Sequence, residues 1–503
     1  MRIKRIVLAM ICFLYYPTGF ARQTDAVFNG DGYAVTICDK NYVGRAIKCN
    51  LSGSGHFLRV KGTIVSGNHI LVGGEMLIQS DGRIINVGCR IQKNQSVTLD
   101  CPGALISPGF INLHEHIEYS YQRPNYPPKA HWNDRDEWRA ASAKERGFLD
   151  EKPTDDTQVE DVSERAMLRH LLSGTTSVAG AKQVRAYTRN LGIVYGTLGS
   201  PANTPVDSDT FPIKHSNLAT KPCQKNSEAG VQFNPSNAYV AHVGEGIDQH
   251  AHCEIDVMLA ALQDKKTPNA FIHGVALDQT QINRLKKQNI SIVLSPRSNF
   301  ELYGVTSPIP QLKHSGINMA LSTDWSVSGS LTMSDEMRCL AHYNQHYLNH
   351  VLSWAEIHQM ATRNAARAVG LDDKIGELVP GKLADFIVID TESKRSFGEV
   401  LNQTAYAQIT AVFISGKGVN FPASWKSKLP FVLENCAIDP RNLCGQSRII
   451  CGANDAHSLL SILASKTYRI DDSILCYPES PVVCTPSNPS QFTGFISGTG
   501  NQH

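Results

Sequence analysis

Three absences narrow the reading of this chain. None of its 13 cysteines stands in a Cys-x-x-Cys pair, which argues against a cysteine zinc ribbon. Lys and Arg are scattered and nearly balance Asp and Glu, 48 against 46, for a formal charge of +2. Such a balance gives no reason to expect a nucleic acid or an anionic membrane as partner. Beyond the first 16 residues no apolar run reaches the roughly 20 residues of a spanning helix. What is present is ordinary globular material, 42% hydrophobic and 19% charged, too far along the scale of order to be a disordered chain. At 503 residues it exceeds one ordinary core and fits two or three domains, one of them large enough for an α/β barrel.

The N-terminus has the pattern of a secretory signal. Met1-Arg2-Ile3-Lys4-Arg5 is a basic start, Ile6 to Tyr16 a short apolar core, and Thr18-Gly19-Phe20-Ala21 offers small residues for cleavage, so export is expected, to a periplasm or the outside. With Cys12 inside residues 1–21, the mature chain keeps 12 cysteines, an even number that fits an oxidising compartment. Five of them crowd into the stretch from Cys436 onward, which reads as a small disulfide-stapled appendage over 426–503. Connectivity is open, and a residue such as Cys339 could be a buried thiol.

Two separated stretches carry short alternating strands with Gly turns, one within 22–105 and one within 373–425. The first includes the hairpin signal Asp81-Gly82, and the second holds Phe386-Ile387-Val388-Ile389. One β-sandwich domain built from both ends of the chain is the economical reading. Between them, 106–372 alternates strands with helices over about the length of a (β/α)₈ barrel. Strands are expected at 192–197, 237–241, 270–272, 290–294 and 318–322, with helices near 161–172, 280–288 and 354–369. Residues 200–236 are polar, and no fourth barrel strand can be placed there.

Chemistry gathers at the strand ends. His114 and His116 follow the apolar run of Phe110-Ile111-Asn112-Leu113. In an extended strand they point to one face and can chelate a single divalent ion; on a helix they would diverge. His242 and Glu245, then His273, then Asp324 end later strands, and a barrel opens all such ends on one face. Three neutral imidazoles and a carboxylate suffice to hold Zn²⁺ or Fe²⁺ with a position open for water.

The order of PGFINLHEH (108–116), HVGEG (242–246), HGVALD (273–278), SPRSNFELYG (295–304), LSTDWSVSGSLTMSDEM (321–337) and GELVPGKLADFIVID (376–390) resembles the amidohydrolase superfamily. Within it, the likeness is to the branch with cytosine, guanine and S-adenosylhomocysteine deaminases and the triazine hydrolases. It covers about 57–420. The resemblance implies that His114, His116, His242 and Asp324 hold one metal ion, zinc first and iron as the alternative. It implies that Asp324 takes a proton from water, that Glu245 shuttles it to a ring nitrogen or leaving group, and that His273 orients water or polarises the substrate. A second branch bridges two metals with a lysine on strand four; Lys214, Lys221 and Lys225 lie in the unplaced stretch, and the His-x-x-Glu pair favours one metal. Arg297 and Asn299 either make a tight turn or line the substrate, and Glu118, Tyr119 and Trp325 are candidates for the pocket wall. Glu336 matches a family position without an assigned role, whereas His250 and His252 read as structural.

The sequence therefore predicts an exported, metal-dependent hydrolase that attacks a C–N bond of a small molecule through metal-activated hydroxide, deaminating an aminated heterocycle. Amide or lactam hydrolysis is the alternative at the same site, and a catalytically silent scaffold the rival. No nucleic acid, and no membrane after signal cleavage, is expected as partner; a homo-oligomer is compatible with the sequence.

Overall fold

Gly109 is where a β sheet hands the chain to a barrel. The strand Ser96–Pro108 ends there and the first barrel strand, β1 (Phe110–Asn112), begins one residue later. A Cβ at this position would lie 2.2 Å from Thr176 Cγ2, so the close approach of the Thr176 side chain to this backbone needs glycine. In the computed structural model the described residues are 28–43, 48–93, 95–120, 131–144, 156–181, 187–193, 201–202, 204–225, 231–394, 396–433, 435–439, 442–452, 476–478 and 484–487. The expected signal at 1–21 lies outside them.

Eight parallel barrel strands follow in order: β1, then β2 (Thr175–Val178), β3 (Arg189–Asn190), β4 (Val206–Asp209), β5 (Ala238–Val243), β6 (Asn269–His273), β7 (Ile290–Leu294) and β8 (Met319–Leu321). β1–β3 pair as one group and β4–β8 as another. Two sets of backbone hydrogen bonds join the groups. Val206 N–H donates to Leu191 O (2.8 Å) beside β3, and at the other seam Asp324 N–H donates to His114 O (3.0 Å) while His116 N–H donates to Asp324 O (2.9 Å). Every residue of β5, β6 and β7 is buried, because helices cover the sheet outside and side chains fill it inside; hence their continuous apolar runs. The helices Gln249–Ala261 and Gln279–Lys287 start on Asp248 and Asp278 N-caps.

Several expectations shift. The third strand is Arg189–Asn190, ahead of the apolar 192–197, of which 194–197 lie outside the described residues. Arg189 is there because its guanidinium is needed inside: it pairs with Asp385 (2.5 and 3.1 Å) and donates to Ser177 and Ser415 hydroxyls (3.0 Å each). The fourth strand is Val-Asp-Ser-Asp, polar because Asp207 and Asp209 accept from Asn237 Nδ2 (2.8 Å) and Tyr239 OH (3.0 Å) and line the cavity. The helix expected over 354–369 is two, Trp354–Met360 and Arg363–Ala368, broken at Thr362. Ser295–Asn299 is no tight turn: Pro296–Tyr303 is a helix with Pro at its first position and a left-handed Gly304 at its end.

The strands from the two ends of the chain form one hydrogen-bonded sheet of 11 strands. Its seam is the antiparallel pairing of Ser96–Pro108 with Phe386–Asp390, Phe386 opposite Pro108 and Val388 opposite Ile106. Leu58, Met76, Leu99, Phe386, Phe413 and Ile449, from six of these strands, share one buried cluster. Residues after 425 extend the same sheet through Arg448–Cys451 and Cys436–Ile438. All 12 cysteines after residue 21 are paired: Cys38–Cys89, Cys49–Cys101, Cys223–Cys253, Cys339–Cys484, Cys436–Cys451 and Cys444–Cys476. The appendage is thus stapled internally by two bridges and tied to the barrel by a third, and Cys339 is bridged where a buried thiol was an option. Among the described residues no helix is long and apolar enough to cross a membrane.

Candidate active site

At the C-terminal mouth of the barrel, ligand atoms of His114, His116, His242 and Asp324 all lie within 4.8 Å of one another. The rings pack edge to face, 4.7 Å between the centroids of His114 and His116 and 4.4 Å between His114 and His242. Asp324 Oδ1 is 2.7 Å from His114 Nε2 and 3.4 Å from His116 Nε2. Asp324 and His273 both have left-handed backbones, φ 65° and 70°. For residues other than glycine this costs about 1–3 kcal/mol each and clusters at functional sites.

Protonation follows from burial and neighbours. Burial, with the cluster of imidazoles around it, pushes His242 well below its ordinary value, and burial also lowers His114 against the pull of Asp324. Both are therefore neutral and carry a lone pair. For His116 burial is outweighed by the Asp324 hydrogen bond and carboxylate field, and its value rises. Asp324 stays ionised: burial opposes this, but the hydrogen bonds of His114 and His116 hold it well below the carboxylate range. His242 Nδ1 faces Asp209 O (3.3 Å), which places that ring's proton on Nδ1 and leaves Nε2 as the electron-pair donor. Three imidazole nitrogens and one carboxylate in this arrangement fit a divalent transition ion.

Beside the cluster are two unpartnered buried atoms, Glu245 Oε2 and His273 Nε2, 3.9 Å apart. His273 is oriented from behind: its Nδ1 donates to Asn299 Oδ1 (2.8 Å), whose Nδ2 donates to Thr306 Oγ1 (3.0 Å). Glu245 Oε1 accepts from Tyr303 OH (2.7 Å), and Tyr303 OH accepts from Trp138 Nε1 (3.0 Å). Asp324 Oδ2 accepts from Ser298 Oγ (2.5 Å). The helix Pro296–Tyr303 thus reaches Asp324, His273 and Glu245 through Ser298, Asn299 and Tyr303. Of the residues weighed from the sequence, Asn299 acts behind His273, while Glu118, Tyr119 and Trp325 line the cavity of about 1110 Å³ above the cluster. Arg297 and Glu336 sit below it. Arg297 N–H donates to Glu336 Oε1 (3.1 Å), and burial pushes the Glu336 carboxyl up to about 8.

The ends of β1 and β8 are locked together from outside this four-residue cluster. Asn112 Oδ1 accepts from the backbone N–H of His114 and of Thr323 (3.3 Å each), and Asn112 Nδ2 donates to Thr323 Oγ1 (2.6 Å). Thr323 Oγ1 donates in turn to Glu115 Oε2, and Glu115 pairs with Arg169 and His170. Glu115, Tyr303, Trp138 and Ser298 received no role from the sequence; Glu115 could have been marked by its nearness to the histidines and Tyr303 and Ser298 by their place in SPRSNFELYG, whereas Trp138 had no such signal.

Other candidates fall elsewhere. β4 holds no lysine; Lys214 precedes the turn at His215–Asn217, and Lys221 and Lys225 lie in or beside the hairpin Leu218–Lys225. His252 faces Ala276 O (3.3 Å). His250 joins Asp134 and Asp248 in a second cluster, but these carboxylates are already engaged. Asp134 caps Glu137 N–H (2.9 Å) and meets His215 Nδ1 (3.0 Å), and Asp248 caps Ala251 N–H and meets His250 Nδ1 (2.9 Å each).

Comparison with known proteins agrees with this geometry. The profile of the amidohydrolase family matches residues 225–419. A 5-methylthioadenosine/S-adenosylhomocysteine deaminase of Thermococcus onnurineus is 26% identical over 403 residues, 71% of this chain and 92% of that protein. The fold is shared with a guanine deaminase from C. acetobutylicum with bound guanine (TM-score 0.52, 17% identity, 72% of this chain and 99% of that one). It is shared also with a triazine hydrolase from Arthobacter aurescens (TM-score 0.51, 15% identity, 72% and 94%). Over residues 225–419 the chain is similar to the amidohydrolase family, and this likeness, with the cluster of His114, His116, His242 and Asp324, makes it a metal-dependent hydrolase.

Proposed function

We propose that the protein deaminates an aminated heterocycle, exchanging a ring-bound amino group for oxygen from water and releasing ammonia. The observation that carries this reading is the pair of unpartnered atoms, Glu245 Oε2 and His273 Nε2, buried beside a donor set of three imidazoles and a carboxylate. We assign that set, His114, His116, His242 and Asp324, to one Zn²⁺. Such an ion supplies a fixed positive charge that acidifies water toward neutral pH.

The chain's own groups then divide the proton work. Asp324 stays ionised and accepts a proton from the attacking water. Glu245 takes up the second proton of that water at Oε2 and passes it to a ring nitrogen or to the departing amine, a service worth roughly 10²–10⁴-fold in rate. His273, held by Asn299, presents Nε2 to the reacting atom and keeps it from rotating away. Trp325, Tyr119 and Phe211 in the cavity wall offer apolar faces to a planar ring. The deaminase named among the relatives supports an aminated ring as substrate. The pairing of all 12 cysteines after residue 21 supports export into an oxidising compartment.

The test is ammonia release by zinc-loaded, signal-free protein across aminated pyrimidines, purines, pterins and triazines. Ammonia from one class supports deamination and narrows the substrate. No ammonia from any class refutes it and turns the assay to amides and lactams.

A further inference from the structure

We propose that Tyr303, supported by Trp138, is a positioning residue that fixes the Glu245 carboxylate so that Oε2 alone handles the transferred proton. The inference rests on the proton-transfer role proposed for Glu245. It starts from a chain of hydrogen bonds whose direction is determined by chemistry. An indole N–H can only donate, so the bond from Trp138 Nε1 to Tyr303 OH (3.0 Å) occupies an acceptor position on the phenol. The phenol proton is then free to point one way, to Glu245 Oε1 at 2.7 Å. Burial, with Glu245 beside it, holds Tyr303 well above its ordinary value, so the donor keeps its proton.

Fixing Oε1 has a consequence for its partner oxygen. Among the described residues Oε2 has no hydrogen-bond partner, and it faces His273 Nε2 at 3.9 Å. A carboxylate free to spin about its terminal torsion would exchange the two oxygens, since that torsion is broad and two-fold. Anchored at Oε1, it offers one oxygen at one place to both water and substrate.

The surroundings hold Tyr303 itself. It is the last residue of its helix, and the adjoining backbone is clamped from two sides. Trp132 N–H donates to Leu302 O (2.9 Å), and Ser487 N–H donates to Gly304 O (3.1 Å). Ser487 is three residues past Cys484, which is bridged to Cys339. The cysteine-rich tail therefore braces the helix end that carries the tyrosine.

The experiment compares zinc-loaded wild type with Tyr303→Phe and Trp138→Phe on the ring that wild type deaminates, and solves crystal structures of all three. Tyr303→Phe removes one oxygen and keeps the ring. Its kcat should fall by about 10²-fold, the scale of a small misplacement of a reacting group, with KM within about twofold, zinc content unchanged and the solvent isotope effect on kcat increased. Trp138→Phe should fall between wild type and Tyr303→Phe. In the Tyr303→Phe crystal, Glu245 should adopt a different or divided carboxylate orientation. An unchanged kcat, or a fall in kcat matched by loss of zinc, overturns the inference. So does a Glu245 carboxylate that stays in place in the variant, and this reading needs no turnover. If wild type releases no ammonia, the proposed reaction fails, and the crystal comparison still decides whether Tyr303 positions Glu245.

Discussion

Glu115 lies between two proposed metal ligands, yet its side chain turns away from them into the protein. It is 1% exposed. Arg169 Nη2 is 3.3 Å from Oε1 and His170 Nε2 3.3 Å from Oε2, Ser120 Oγ donates to Oε1 (3.0 Å), and Thr323 Oγ1 donates to Oε2. Burial alone would raise its carboxyl; His170, Arg169 and Thr323 bring it down to about 2. Glu115→Ala removes the carboxylate and leaves the buried guanidinium of Arg169 without it. Breaking a buried pair from one side costs about 3–5 kcal/mol.

The same change removes one of the ties between the end of β1 and Thr323, leaving those of Asn112, and so loosens the hold of His114 and His116 beside Asp324. Loss of an outer partner of metal ligands typically weakens the metal by about 10–100-fold, or about 1.4–2.7 kcal/mol. Two measurements follow: the urea midpoint, and zinc affinity by competition with a chromogenic chelator. Asp385→Ala is the control, because it breaks the Arg189 pair near the start of β3, at the opposite end of the barrel. Both variants should lose stability, and only Glu115→Ala should lose zinc affinity. Equal zinc affinity in Glu115→Ala and wild type would refute the argument that this carboxylate holds the ligand set, even if stability falls.

The remaining expectations concern the site, pH and the bridges. His116→Ala should lose both zinc retention and turnover, read by metal analysis and ammonia release; an active, zinc-loaded variant refutes the ligand set. His358 is buried between Tyr33 OH (2.8 Å to Nδ1) and Ser107 Oγ (2.7 Å to Nε2), and burial, then Arg363, lowers it to about 3. The unfolded chain, near 6.5, binds a proton that the fold refuses, so its contribution is complete above 6.5 and is lost as pH falls toward 3. That is about 2 kcal/mol lost by pH 5, and a His358→Gln variant should show a flatter stability profile over that window. Cys484→Ser with Cys339→Ser should cost about 2–5 kcal/mol in denaturant titrations, and should lower kcat if the tail braces Tyr303.

What could be read from the sequence was whatever burial writes as a run of one residue type. β5, β6 and β7 are covered on both faces, so Tyr239 to Ala241, Ala270 to Ile272 and Ile292 to Leu294 appear as unbroken apolar runs. The polar residues at the ends of β5, β6 and β8 mark the barrel mouth, at His242–Glu245, His273 and Asp324. The same logic hid β3 and β4. Arg189 is buried only because Asp385, 196 residues away, neutralises it, and Asp207 and Asp209 face the cavity and accept from Asn237, just ahead of β5, and Tyr239 on it. A strand stabilised by partners distant in sequence has no local signature. Tyr303 was hidden for a related reason: its phenol matters through Glu245 and Trp138, 58 and 165 residues away, and on its own helix it is one more aromatic in a buried row. The disulfides complete the pattern. Spacing placed five cysteines in a tail, but the bridge from Cys484 runs to Cys339 across 145 residues, to the helix that follows β8. The proposed ligand set was legible because its members stand at the ends of three strands, His114 and His116 after β1, His242 at the end of β5 and Asp324 after β8. The groups that aim those ligands were not, because each is defined by a contact the chain makes only after it has folded.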